Sequence, residues 1–132
     1  TLAATEYLLS HYPEKSFLLN WGNVSGYDIE STDGEIIAEC FAATSYRSNG
    51  KLTADLKRLF GDRTAARKYE FFYACDFSDT SKKYYENKYV GVCIVKLDLS
   101  ELLLSWPAQC DFVCRFENGV EETNKGSLIH NI

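Results

Sequence analysis

The sequence predicts a single α/β domain over residues 1–132, built as a mixed central sheet flanked by helices. Three observations predict it. An Asp33-Gly34 dipeptide joins two strand-like segments, the mark of a β-hairpin, because glycine accepts a positive φ at no steric cost. The run Tyr89 to Leu97 (YVGVCIVKL) is β-branched and apolar, as a buried strand requires. Strand-like and helix-like segments alternate in the second half, which favours helices packed on a mixed sheet.

The elements follow in order. Residues 2–12 read as a short amphipathic helix, with Leu2, Leu8, Leu9 and Tyr12 sharing a broad stripe and Pro13 ending it. Phe17 to Trp21 is apolar and short, a strand or an irregular lead-in. Gly22 and Gly26 bracket a turn. Tyr27-Asp28-Ile29-Glu30 is the first hairpin strand, Ser31 to Gly34 the turn, and Glu35 to Ala42 the second strand. Ser48-Asn49-Gly50 forms a loop, and Lys51 to Phe60 a helix with Leu52, Leu56 and Leu59 on one face. Gly61 is a C-terminal stop. Asp62 to Lys68, polar and basic, reads as a helical extension. Tyr69 to Phe77 reads as a buried aromatic strand, Ser78 to Lys88 as a polar connection, and Ser100 to Trp106 as a short helix ended by Pro107. Asp111 to Phe116 is a last strand, and Glu117 to Ile132 a loop or tail.

Hydrophobic residues at 45% and charged residues at 25% match ordinary globular usage, so the chain can bury a core. No apolar run approaches the roughly 18 residues of a membrane span, and Thr1 to Tyr12 lacks the basic and apolar regions of a signal peptide. The five cysteines, Cys40, Cys75, Cys93, Cys110 and Cys114, are odd in number, and most sit in apolar, strand-like stretches. Such thiols serve as small core residues, and the expectation is a reduced, cytoplasmic protein. With no CxxC pair and only His11 and His130 besides, a structural zinc site is not indicated. The net charge of −5 argues against strong non-specific nucleic-acid binding and suits docking onto a basic partner.

The hairpin carries the chemistry. With Asp33-Gly34 as a two-residue turn, cross-strand partners have numbers summing to 67 by alternation, so Asp28 faces Glu39. Asp28, Glu30, Ile37, Glu39 and Phe41 then share one face, and Tyr27, Ile29, Ile36, Ala38 and Cys40 the other. Directly opposed carboxylates repel. Exposure to solvent, a divalent cation, a shared proton or a nearby Lys or Arg would each relieve them.

An acid ending one strand, a hairpin, an acid in an apolar second strand and a following helix resemble the PD-(D/E)XK nuclease superfamily. Gly26-Tyr27-Asp28 stands where that family has Pro-Asp, and Ile37-Ala38-Glu39-Cys40-Phe41 where it has the (D/E)-X-K strand. Lys51 to Leu59 (KLTADLKRL) resembles its next helix, and the likeness covers residues 1–97. The resemblance implies a restriction-endonuclease-like core (α-β-β-α-β-β), Mg²⁺ held by Asp28 and Glu39, and hydrolysis of DNA, ahead of RNA. The family's lysine falls at Phe41, which can neither orient water nor neutralise an oxyanion, so Lys51 is the substitute and the catalytic set is Asp28, Glu39 and Lys51. If the site is a degraded catalytic centre, Phe41 is expected beside the carboxylates, narrowing their cleft; a Phe41 buried in a core away from them would make the alignment to the nuclease motif mistaken. A second reading is a non-catalytic acidic binding protein, an antitoxin or immunity-type inhibitor of a basic nuclease toxin.

Two further clusters stand out. Lys51, Lys57, Arg58, Arg63, Arg67 and Lys68 form a basic stretch that suits phosphate contact or a solvated helix face. Tyr84, Tyr85 and Tyr89 with Lys82, Lys83 and Lys88 mix rings and cations, as in a nucleic-acid or protein contact or in a loop leading into a core strand.

Overall fold

A computed structural model describes residues 1–22, 25–43, 45–47, 50–74 and 76–97, with the backbone of 113–115 and 121–123. Helix α1 (Leu2–His11) leads into strands β1 (Phe17–Asn20), β2 (Ile29–Ser31) and β3 (Ile36–Ala42). Helix α2 (Lys51–Gly61), strand β4 (Arg67–Tyr73), helix α3 (Asp79–Lys88) and strand β5 (Val92–Lys96) follow. The short strands β6 (Val113–Arg115) and β7 (Glu121–Thr123) complete the sheet.

The sheet order is β5-β4-β3-β2-β1-β6-β7. Strands β1, β2 and β3 form an antiparallel meander, whereas β4 and β5 run parallel to β3. Parallel neighbours need a crossover, and α2 and α3 supply the two. β6 pairs parallel to β1, with β7 antiparallel beside it.

Alternation sends each strand's side chains to two cores. Ile37, Phe41, Phe72 and Ile94 pack beneath Leu52, Leu56 and Leu59 of α2. Phe17, Leu19, Ile29, Ile36, Ala38 and Phe71 pack on the other face with Ala4 and Leu8 of α1. The neighbours Phe71 and Phe72 are both fully buried, one in each core.

The α/β class and the mixed sheet flanked by helices are as the sequence predicts; the element order differs from α-β-β-α-β-β. Phe17–Asn20 is a full strand, and Ser78 to Lys88, read as a connection, contains α3. That helix buries no residue fully, so it leaves no apolar stripe in the sequence. It is held by its ends: Ser78 Oγ accepts the Ser81 N–H at 3.1 Å, and Asp79 stands in the first turn and Lys88 in the last, matching the helix dipole. Helix α2 stops at Gly61, and Arg67 and Lys68 belong to β4, so no helical extension covers Asp62 to Lys68. Glu117 to Ile132 contains β7. The helix expected over Ser100 to Trp106 lies outside the described residues.

The hairpin register has Ile29 opposite Ala38 and Glu30 opposite Ile37, each pair summing to 67 as the sequence reading requires. The turn itself is longer. Gly34 N–H donates to Ser31 O at 2.8 Å and Gly34 takes φ 73°, so four residues, Thr32 to Glu35, separate the strands. A four-residue loop and a two-residue loop centred on the same bond preserve the same sum. Asp33 stiffens the turn by accepting from Ser31 Oγ at 2.6 Å and from Glu35 N–H at 3.1 Å. Lys15 ties Asp33 and Glu35 down from outside.

Candidate functional site

Asp28 and Glu39 meet where the β2–β3 ladder ends. Asp28 N–H donates to Glu39 Oε2 at 3.2 Å, and Cys40 N–H donates to Asp28 Oδ2 at 2.8 Å. The Asp28 carboxylate thus takes a strand N–H beyond the last backbone pair, Ile29 with Ala38. Tyr27, expected on the opposite face, packs instead against the core beneath α2. Residues 25–28 precede β2, and Gly26 at φ 133° breaks the strict alternation there.

The row of acids continues into β4. Glu39 pairs in register with Glu70, and Glu70 with Ile94 of β5. Glu70 is fully buried, and neither carboxylate oxygen has a hydrogen-bond partner among the described residues. Helix α2 closes over this row. Its Asp55 is buried within the Leu52, Leu56, Leu59 stripe. Lys51 Nζ donates to Asp55 Oδ2 at 2.5 Å. Arg58 Nη1 donates to Glu39 Oε1 at 2.7 Å and Nη2 to the Gly26 carbonyl at 2.5 Å, with its guanidinium 4.4 Å from the Tyr27 ring centre. Tyr27 Oη donates to Asp62 Oδ2 at 2.9 Å, tying the α2–β4 turn to the same network.

Burial governs the charges. It pushes the Glu70 carboxyl up to about 9, helped by the nearby charge of Asp55. It pushes Glu39 up to about 7, with Asp28 adding to the rise and Arg58 opposing it. Asp55 is raised too, chiefly by burial. For Lys51 burial disfavours the charge, but the Asp55 hydrogen bond and the fields of Asp55, Asp28 and Glu39 keep its pKa above the ordinary lysine value. At neutral pH the cluster therefore holds a protonated Glu70, a Glu39 close to its titration point and two cations.

Of the residues singled out in the sequence, Asp28 meets Glu39 through its backbone N–H, and Lys51 reaches the cluster through Asp55. Phe41 is 5% exposed and stacks on Phe72, ring centres 5.3 Å apart, so it is a core residue and not a cleft wall. The likeness of β3 to a (D/E)-X-K strand therefore stops at Glu39, and any cation for the acids comes from α2. The sequence reading missed Glu70, Asp55 and the part played by Arg58. Two of the three leave a signal: Glu70 is a lone acid in an aromatic strand, and Asp55 a charge inside an apolar helical stripe.

Carboxylate oxygens are hard donors of the kind Mg²⁺ takes; here both Glu39 oxygens accept hydrogen bonds, from Arg58 and from the Asp28 N–H, and Asp28 Oδ2 accepts from the Cys40 N–H. Among the described residues no group of three or more His, Cys, Asp or Glu is placed to hold a metal ion, and no helix is long and apolar enough to cross a membrane. The fold and cluster together define an α/β protein with a charged site between a mixed sheet and its crossover helix. Compared with known proteins, the chain has no significant match to a family model, a curated protein or a solved structure.

Proposed function

We propose that the chain is a nuclease or nuclease-like domain of the restriction-endonuclease-like kind, acting with Mg²⁺ on the phosphodiester bonds of DNA or RNA. One observation carries the reading: Asp28 and Glu39 meet at one end of a hairpin beneath a helix that brings Lys51 and Arg58 to the same cluster. In this reading Asp28 and Glu39 hold the ion, which when bound would lower the pKa of a coordinated water and offset charge on the phosphate. Lys51 supplies the positive charge that Phe41 lacks, and Arg58, half-exposed and bonded to Glu39, is placed to exchange that carboxylate for a phosphate.

The test is calorimetric and enzymatic. Mg²⁺ or Mn²⁺ is expected to raise the melting temperature, by about 3 kcal/mol of stability at 100 times Kd, and Asp28→Asn to abolish the gain. Cleavage of plasmid or RNA should need the same ion and fall at least tenfold in Asp28→Asn and in Lys51→Ala. Absence of any metal response would refute the catalytic reading.

The second reading, a non-catalytic acidic binding protein, is favoured by a different observation. Glu39 and Asp55 already have cation partners in Arg58 and Lys51, and Asp28 holds the Cys40 N–H. Metal stabilisation without cleavage supports a nuclease fold retained for binding.

A further inference from the structure

We propose that the groove between the segment after β3 and helix α3 binds one nucleotide of single-stranded nucleic acid, its base against Tyr84 and Tyr85 and its phosphate beside Arg47. The inference rests on the nucleic-acid reading above and names the form of the substrate and a second contact for it. The groove is an open one of about 390 Å³, lined by Tyr46, Arg47, Thr80, Ser81, Tyr84 and Tyr85. That volume falls in the range of small-ligand clefts.

Its walls are held in place before any ligand arrives. Asp76, in the turn before α3, accepts from Ser45 Oγ at 2.7 Å and from Tyr46 N–H at 3.0 Å, fixing the far wall. Tyr46 meets Phe77 and Tyr85 edge-on, with ring centres 5.3 Å and 6.4 Å apart. Tyr85 packs against the core, but Tyr84 is 58% exposed, an aromatic ring that folding leaves largely uncovered. Successive bases stack on such rings regardless of sequence.

Charge identifies the occupant. Arg47 lies over the Tyr46 ring at 5.2 Å and donates Nε to its phenol at 3.0 Å, and no carboxylate among the described residues stands within ion-pair distance of it. Lys82, Lys83 and Lys88 stand on α3, with Lys88 Nζ 5.8 Å from the Tyr84 ring centre. Three acids stand nearby: Asp76 accepts from Ser45 and Tyr46 and its charge also acts on Arg47, Glu86 pairs with Lys82 at 3.6 Å, and Asp79 sits in the first turn of α3. Against a chain of net charge −5, this corner presents rings, hydroxyls and cations together, the combination that tracks a phosphate backbone.

Fluorescence anisotropy of labelled oligothymidylate and oligouridylate, at low salt with chelator present, tests the groove without requiring catalysis. The intact chain should bind at least one of them. Tyr84→Ala is expected to weaken that binding roughly tenfold or more, and Tyr84→Phe to keep it within about twofold, because the ring survives. Arg47→Ala should weaken binding and lower the slope of log affinity against log salt by about one. If Tyr84→Ala and Arg47→Ala bind as the unaltered chain does, the groove assignment is overturned even where metal-dependent cleavage is found. If the variants lose binding and no cleavage exists, the groove stands and only the catalytic reading fails. Failure of the unaltered chain to bind either oligonucleotide overturns the inference and leaves the surface to a protein partner.

Discussion

Glu70 is the residue on which the cluster's electrostatics turn. A carboxyl buried without a partner holds its proton, because the charged form has neither water nor a hydrogen bond to support it. The consequence for stability has a definite sign. Glu39 and Glu70 have folded pKa values of about 7 and about 9, against an ordinary 4.5. Between those limits the folded chain binds more protons than the unfolded chain, so the stabilisation present at mildly acidic pH is lost as pH rises through 7 and then 9. Asp33 and Asp62 act in the opposite sense: their carboxyls are held low by hydrogen bonds, and their contribution disappears only in strong acid. The urea midpoint should therefore peak near roughly pH 5 and fall toward pH 9, each tenfold change in proton affinity being worth about 1.4 kcal/mol. Glu70→Gln should flatten the fall between about pH 7 and 9. A variant with the original slope, or an original chain that gains stability up to pH 9, would show that Glu70 is not the titrating group. Glu70 escaped the sequence reading because an acid inside YEFFY looks like part of an aromatic strand; only the registry of β3 with β4 reveals that it stands beside Glu39. Arg58 escaped for a related reason. A basic helical residue usually faces solvent, and its bond to Glu39 depends on how α2 crosses the sheet.

At the scale of elements, the hairpin was legible and α3 was not, for physical reasons. The sum of 67 depends only on where the turn is centred, so the register of Ile29 with Ala38 and of Glu30 with Ile37 survived an error in loop length. The meander was legible only in part, because four residues, Phe17–Asn20, carry too little pattern to separate a strand from a lead-in. Helix α3 depends on caps and charge placement and presents no buried stripe, so periodicity could not find it. The hairpin also yields a quantitative expectation. Gly34 sits at φ 73° with open space where a Cβ would be, so replacement by alanine meets no clash and pays only for the left-handed backbone. Gly34→Ala should cost about 1 kcal/mol, read from the shift in urea midpoint. A loss several times larger would mean that the turn resists substitution for steric reasons.

Over the whole molecule, helix α2 does two jobs with one rigid body. Leu52, Leu56 and Leu59 complete the larger core, while Lys51, Asp55 and Arg58 complete the charged cluster. A site carried on a loop can open while its scaffold stays folded; here the amide protons report whether that freedom exists. Because lifting α2 off the sheet would uncover both the leucines and the buried acids, its central amides should exchange with deuterium only through global opening, at the same free energy as the amides of β3 and β4. Exchange of α2 at a much lower free energy would reveal a helix that detaches by itself. If the two rates agree, the cluster has no partly assembled state, and a substitution that loosens Leu56 would disturb Glu39 as surely as one placed beside it.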